Sequence, residues 1–312
     1  MSVSGTASPL GPKFMLSKPV FKGSIVALVT PFTPGGKIDF KALDGLVDFH
    51  LENGSDGLVV AGTTGESATL DGSEFANLLG RVIDRVAGKI PVLAGTGSAS
   101  TRAAVEKTVS ASDLGADGAL VVTPYYNKPA QSGLYAHFTA VADASEIPVV
   151  LYNVPSRTAV DMLPSTVEKL APHERIAGIK EAVPGAARIR ELRNRCGPEF
   201  ILLSGDDSSC LEAMRESADG VVSVAANIVP ARMHDLCSAA VRHDWGRAAQ
   251  LDLQLRPVFD VLMIETNPIP VKWALFEMGM IESGLRLPLA RLDEKFREPV
   301  RQCLAEQGLI YK

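Results

Sequence analysis

Eight short apolar runs, bounded by Gly, Pro or polar residues and separated by segments of helical spacing, recur along the chain and leave few folds open to it. They are SIVALVTPF from Ser24, GLVVAG from Gly57, PVLAGT from Pro91, GALVVTP from Gly118, PVVLYNV from Pro148, IAGIKEA from Ile176, FILLSGDD from Phe200 and GVVSVAA from Gly220. Their starts lie 33, 34, 27, 30, 28, 24 and 20 residues apart, the period of one strand, one helix and two loops. The apolar residues are consecutive rather than alternating and rich in Val, Ile and Leu, as in parallel strands buried on both faces. Intervening segments such as TRAAVEKTVSASDLGA place apolar residues at helical spacing. Eight such units predict an α/β chain closed into a (β/α)8 TIM barrel rather than an open doubly wound sheet. No GxGxxG fingerprint follows the first run, which argues against a dinucleotide fold.

A repeated joint supports this. Ser55-Asp56-Gly57, Ala116-Asp117-Gly118 and Ala218-Asp219-Gly220 each stand directly before a run. Gly there is expected to supply the positive φ of a helix-to-strand turn, and Asp a local hydrogen-bond acceptor. After the eighth run only helical patterns remain: ARMHDLCSAAVRH, WGRAAQLDLQLRPVFDVLMI, PIPVKWALFEMG and ARLDEKFREPVRQCLAEQ. The expected organisation is a loose Ser, Gly and Pro-rich leader over residues 1–18, a barrel over 19–242 and a helical appendage over 243–312 packed on the barrel. The leader lacks the apolar core of a secretory signal, Met15 is a second candidate start, and the cytoplasm is the expected compartment.

Composition removes other classes. The 31 Lys+Arg and 36 Asp+Glu leave a net charge of −5 with no basic run, which argues against a nucleic-acid groove. Cys196, Cys210, Cys237 and Cys303 form no CxxC pair, so neither zinc ligation nor a disulfide framework is expected.

Barrel enzymes carry their chemistry where the strands end and the βα loops converge. Lys180 is the residue out of place there, because it follows Ile176-Ala177-Gly178-Ile179 in a run too apolar for an edge strand. It could snorkel to the mouth or pair with Glu181, but alternation puts Glu181 on the opposite face. A desolvated lysine amine, in contrast, is a nucleophile toward a carbonyl. Tyr152 ends the preceding run, where a phenol can carry protons to and from an imine or can simply be a core tyrosine. Gly62-Thr63-Thr64-Gly65-Glu66-Ser67 is either a plain turn or a cradle whose N–H groups and hydroxyls approach a small anion. Arg157 could clamp a carboxylate or merely be solvated. Asp206 and Asp207 lack a third ligand for a metal and are expected to cap a helix.

GSIVALVTPF, GTTGESATL, VTPYYNKP, LYNVPSRT, GIKEA, LSGDD, GVVSVAAN and NPIPVKWAL, spread from Gly23 to Leu275, resemble the dihydrodipicolinate synthase family of pyruvate-dependent aldolases and lyases. The resemblance implies a pyruvate Schiff base at Lys180, with Tyr152 as proton donor and acceptor and Thr63 and Tyr126 completing a relay. In that family the tyrosine at Tyr126 comes from the neighbouring subunit of a tight dimer. Thr64 and Val222 would bind pyruvate, and Arg157 the carboxylate of L-aspartate 4-semialdehyde. The resemblance further implies a homotetramer built as a dimer of dimers, and chemistry that needs neither metal nor redox cofactor because the protonated imine is the electron sink.

Relatives on the same scaffold stay open: N-acetylneuraminate lyase, aldolases of 2-keto-3-deoxy sugar acids, and a non-catalytic sensor of 2-oxo acids. Ser156-Arg157 and the paired Tyr125-Tyr126 are not typical of the sugar-acid lyases, and a sensor requires neither Lys180 nor Tyr152. Lysine-inhibited family members carry two His, an Asn and a Glu where this chain has Gly72, Phe75, Ala99 and Ala103, although Ser67, Ala68 and Tyr125 remain. Weak or absent inhibition by L-lysine is therefore expected.

Overall fold

The computed structural model describes residues 21–311. All eight apolar runs form strands, shorter than the runs themselves: β1 (Gly23–Ala27), β2 (Gly57–Val60), β3 (Val92–Gly95), β4 (Gly118–Val122), β5 (Val149–Asn153), β6 (Ile176–Glu181), β7 (Ile201–Ser204) and β8 (Gly220–Ser223). They pair in parallel in sequence order, and β8 returns to β1, with Ile25 opposite Val222, to close the barrel. Between them run α1 (Phe40–Glu52), α2 (Gly72–Val86), α3 (Thr101–Asp113), α4 (Gln131–Asp143), α5 (Pro155–Thr158), α6 (Pro164–Leu170), α7 (Ala186–Cys196) and α8 (Cys210–Arg215). Then α9 (Pro230–Val241), α10 (Trp245–Leu262), α11 (Ile269–Glu277) and α12 (Glu294–Glu306) complete the described chain. The proposed leader over 1–18 lies outside the described residues.

Strand alternation creates two apolar regions. Inward side chains, among them Phe21, Ile25, Val59, Leu93, Leu120, Val150, Leu203 and Val222, fill the barrel. Outward ones pack against the helices in one continuous layer that also takes Leu251, Leu255, Val258 and Phe259 of α10. Residues of α10, α11 and α12 share that layer with the barrel helices. Among the described residues no helix is long and apolar enough to cross a membrane.

The repeated joint works differently from expectation. Positive φ falls three residues earlier, at Gly54 (+73°), Gly115 (+90°) and Ser217 (+71°). The glycines beside the aspartates are instead positions of close approach: a Cβ on Gly220 would stand 2.1 Å from the Gly23 carbonyl oxygen, and one on Gly118 2.6 Å from the Phe21 ring. The aspartates reach sideways rather than locally. Asp56 accepts from Ser24 N at 2.8 Å, Asp117 from Val92 N at 2.8 Å and Asp219 from Leu202 N at 3.0 Å. Each thus ties the start of its own strand to the start of the strand before it, satisfying an N–H that the parallel ladder leaves over.

Candidate active site

The C-terminal ends of the strands surround a cavity of about 380 Å³, in the size range of a small-molecule site. Lys180 and Tyr152 face each other across the β5–β6 pairing, where they are register partners. Both are buried, Lys180 being 6% exposed, and its Nζ sits 4.3 Å from the centroid of the Tyr152 ring. Alternation along β6 sends the next residue outward, as expected: Glu181 accepts from both Asn153 Nδ2, at 3.1 Å, and Val183 N, at 2.8 Å, in the layer behind the strand. Arg188 approaches it to 3.8 Å while binding Asp161 at 2.8 Å. Lys180 enters no ion pair among the described residues, so its amine is open to the cavity.

The turn after β2 supplies Thr63 and Thr64 to the cavity wall, and Val222 closes it from β8. Thr64 Oγ1 accepts from Asn267 Nδ2 at 3.0 Å, and Thr30 Oγ1 donates to the Gly65 carbonyl at 2.7 Å. Arg157 stands on the one-turn helix α5, exposed, with Nη2 donating to the Asn267 carbonyl at 3.2 Å and the rest of its guanidinium open toward the cavity. Lys180, Tyr152, Thr63, Thr64, Val222 and Arg157 therefore meet at one place. Tyr126 does not. It lies in the loop after β4, 93% exposed and at a φ of +75°, a backbone conformation that costs a tyrosine energy and is held only where surrounding structure imposes it.

The aspartate pair departs from the expected helix cap. Asp206 accepts from Ser209 N at 2.9 Å and from the Ser208 and Ser209 hydroxyls, closing the turn ahead of α8 rather than capping its first turn. Asp207 is half-buried with its Oδ1 shielded from solvent; this desolvation pushes its carboxyl above the usual carboxylate range, and its Oδ2 accepts from Val224 N at 3.0 Å and Ala225 N at 2.8 Å. It ties the end of β7 to the short 3-10 turn after β8.

Phe259, Leu262, Met263 and Asn267 also line the cavity, although sequence assigned their segment only to packing. A signal was present: Lys272 in PIPVKWAL is as foreign to its apolar run as Lys180 is to its own. A second cavity of about 690 Å³ adjoins the first through Thr63, Arg157 and Asn267, and Ser67, Gly72, Phe75, Ala103, Lys107 and Tyr125 line it. Lys107 Nζ lies 4.9 Å from the Phe75 ring centroid, and burial pulls its ammonium below the usual lysine range.

A closed parallel barrel with a buried, unpaired lysine and a tyrosine at its mouth is the framework of a class I, Schiff-base carbon–carbon lyase. The chain belongs to the dihydrodipicolinate synthetase family, whose model matches residues 20–307. A 4-hydroxy-tetrahydrodipicolinate synthase of Pseudomonas aeruginosa is 51% identical over 288 residues, 92% of this chain and 99% of that protein. The chloride-inhibited dihydrodipicolinate synthase of Acinetobacter baumannii, solved with pyruvate, superposes with a TM-score of 0.92 at 46% identity, covering 93% of this chain and all of that one. The enzyme of Cyanidioschyzon merolae with lysine bound does so with a TM-score of 0.90 at 39% identity, covering 93% of this chain and 99% of that one.

Burial raises the Glu181 carboxyl to about 7, against the opposing pull of Val183 N, Asn153 and Arg188. The folded chain then holds a proton there that the unfolded chain releases above its ordinary value of 4.5, so stability falls as pH rises from about 4.5 to 7 and is level beyond. The full span is worth up to about 3 kcal/mol. Glu181→Gln removes this dependence. Its melting temperature relative to wild type should climb by about 4 °C between pH 5 and pH 8 in thermal unfolding, and a pH-independent difference would contradict the assignment.

Proposed function

We propose that the chain is a 4-hydroxy-tetrahydrodipicolinate synthase, condensing pyruvate with L-aspartate 4-semialdehyde on the route to diaminopimelate and lysine, in the cytoplasm. The observation that carries this is the buried Lys180 amine, free of any carboxylate among the described residues, beside Tyr152 in a cavity that also presents Thr64 and Arg157. Lys180 Nζ adds to the pyruvate carbonyl. The carbinolamine loses water to give an imine, and loss of a methyl proton gives the enamine. The enamine carbon attacks the aldehyde, whose oxygen takes up a proton, and the substrate amine then displaces Lys180 to close the ring. Tyr152 gives and takes these protons, with Thr63 and Tyr126 linking it to solvent.

Thr64 and Val222 hold pyruvate, the Thr64 hydroxyl donating to its carboxylate. Arg157, anchored through one nitrogen on Asn267, has its remaining donors for the carboxylate of the semialdehyde. The position of Tyr126 supports a subunit exchange: a phenol exposed on its own protomer can enter the relay of a neighbour, within a homotetramer arranged as a dimer of dimers. The protonated imine withdraws the electrons, so the scheme needs neither metal nor redox cofactor.

Steady-state assay with both substrates tests this. Wild type should turn over, and Lys180→Ala should lose at least about 10⁴-fold in kcat, in line with removing a covalent nucleophile. Turnover of N-acetylmannosamine with pyruvate, and none of the semialdehyde, would transfer the chain to the sugar-acid lyases.

We further propose that L-lysine inhibits weakly or not at all. In the second cavity Gly72, Phe75 and Ala103 offer no polar partner to a zwitterion, and several lost contacts at roughly 1 kcal/mol each weaken binding by orders of magnitude. Half-maximal inhibition at submillimolar lysine would contradict this.

A further inference from the structure

The turn that carries Thr63 and Thr64 is held from outside the barrel. Glu66 adopts a left-handed φ of +54°, and its carboxylate is wholly buried. One carboxylate oxygen, Oε1, takes the Lys272 ammonium, and the other accepts from Arg286 N at 3.1 Å. Lys272 Nζ, also buried, donates to the Thr30 carbonyl at 2.9 Å, while the Thr30 hydroxyl donates to the Gly65 carbonyl next to Glu66. Phe32 lies under both cations, 4.4 Å from Lys272 Nζ and 4.2 Å from the Arg286 guanidinium. Arg286 then reaches the Gly36 carbonyl at 2.9 Å, the Thr69 carbonyl at 2.7 Å and Glu74 at 2.7 Å. Segments around α11 thus grip the end of β1, the turn after β2 and the start of α2 together.

A buried ion pair is a poor way to gain stability, because desolvation offsets most of its attraction, whereas it fixes geometry well. Here it pins a strained residue two positions from Thr64, and Asn267, five residues before Lys272, pins the Thr64 hydroxyl itself. We propose that Glu66 and Lys272, with Asn267, are positioning residues that shape the turn for the carboxylate of the 2-oxo acid, so that the C-terminal helical segment is part of the substrate site. The proposal rests on the pyruvate assignment above.

Its test is the pyruvate concentration at which borohydride traps half of the enzyme, measured on the full chain. The double variant Glu66→Gln/Lys272→Met leaves neither charge buried alone, so its melting temperature should stay close to wild type. Half-trapping should nevertheless need about tenfold more pyruvate, with kcat at saturating pyruvate within about threefold of wild type. Glu66→Gln alone keeps the shape and an acceptor for Lys272, and should lie between the two. A folded double variant that traps at the wild-type concentration would overturn the proposal and leave the pair a packing element. If the double variant does not fold, Asn267→Ala decides: a several-fold rise in half-trapping supports positioning, and none overturns it. Failure of wild type to trap pyruvate at all would sink the pyruvate assignment first, and this proposal with it.

Discussion

Side-chain parity on β6 decides what this barrel can do. In a closed ring of parallel strands each residue points into the barrel or out toward the helices, and neighbours alternate. Lys180 and Glu181 are adjacent opposite charges that would neutralise each other on a flexible chain. On β6 they are sent to different compartments, the amine to the cavity and the carboxylate to the Asn153–Asp161–Arg188 layer. The outer layer satisfies Glu181 without recruiting Lys180, so the amine keeps its availability. Closure between β8 and β1, which depends on Gly220 meeting Gly23 with no side chain between them, enforces that parity around the ring.

The barrel was readable because its signal is repetitive: eight consecutive-apolar runs at strand-plus-helix spacing all became strands. Lys180, Tyr152, Thr63, Thr64 and Arg157 stand out at strand ends in the sequence, and Val222 enters only through the family resemblance; all six line one cavity because barrel geometry brings strand ends together whatever their separation in sequence. The Asp-Gly joint is visible in the sequence, but how it works is not. Its aspartates bond to the preceding strand, and its glycines clear space for backbone, both cross-strand facts that local turn chemistry does not contain. Asp207 misled in the same way, since its partners Val224 and Ala225 lie across the strand ends rather than in the helix that follows it.

The C-terminal helices were least legible. Their periodicity announced helices, and nothing in it says that the loop before α11 delivers Asn267 to Thr64, or that Lys272 and Arg286 meet at one glutamate more than 200 residues away. Pairings at such separation arise only once the barrel is closed and the segment wraps over its mouth. A charged residue inside an apolar run was the usable clue in both regions. At Lys180 it marks an amine left open, and at Lys272 an amine held by a carboxylate and a backbone carbonyl.

The proposed chemistry stands on an imine between Lys180 and pyruvate. Incubation of the intact protein with pyruvate and borohydride, followed by peptide mapping in a mass spectrometer, tests it most directly. One reduced pyruvate adduct per chain is expected, on the peptide containing Lys180. An adduct on a different lysine, or none at saturating pyruvate, would contradict it.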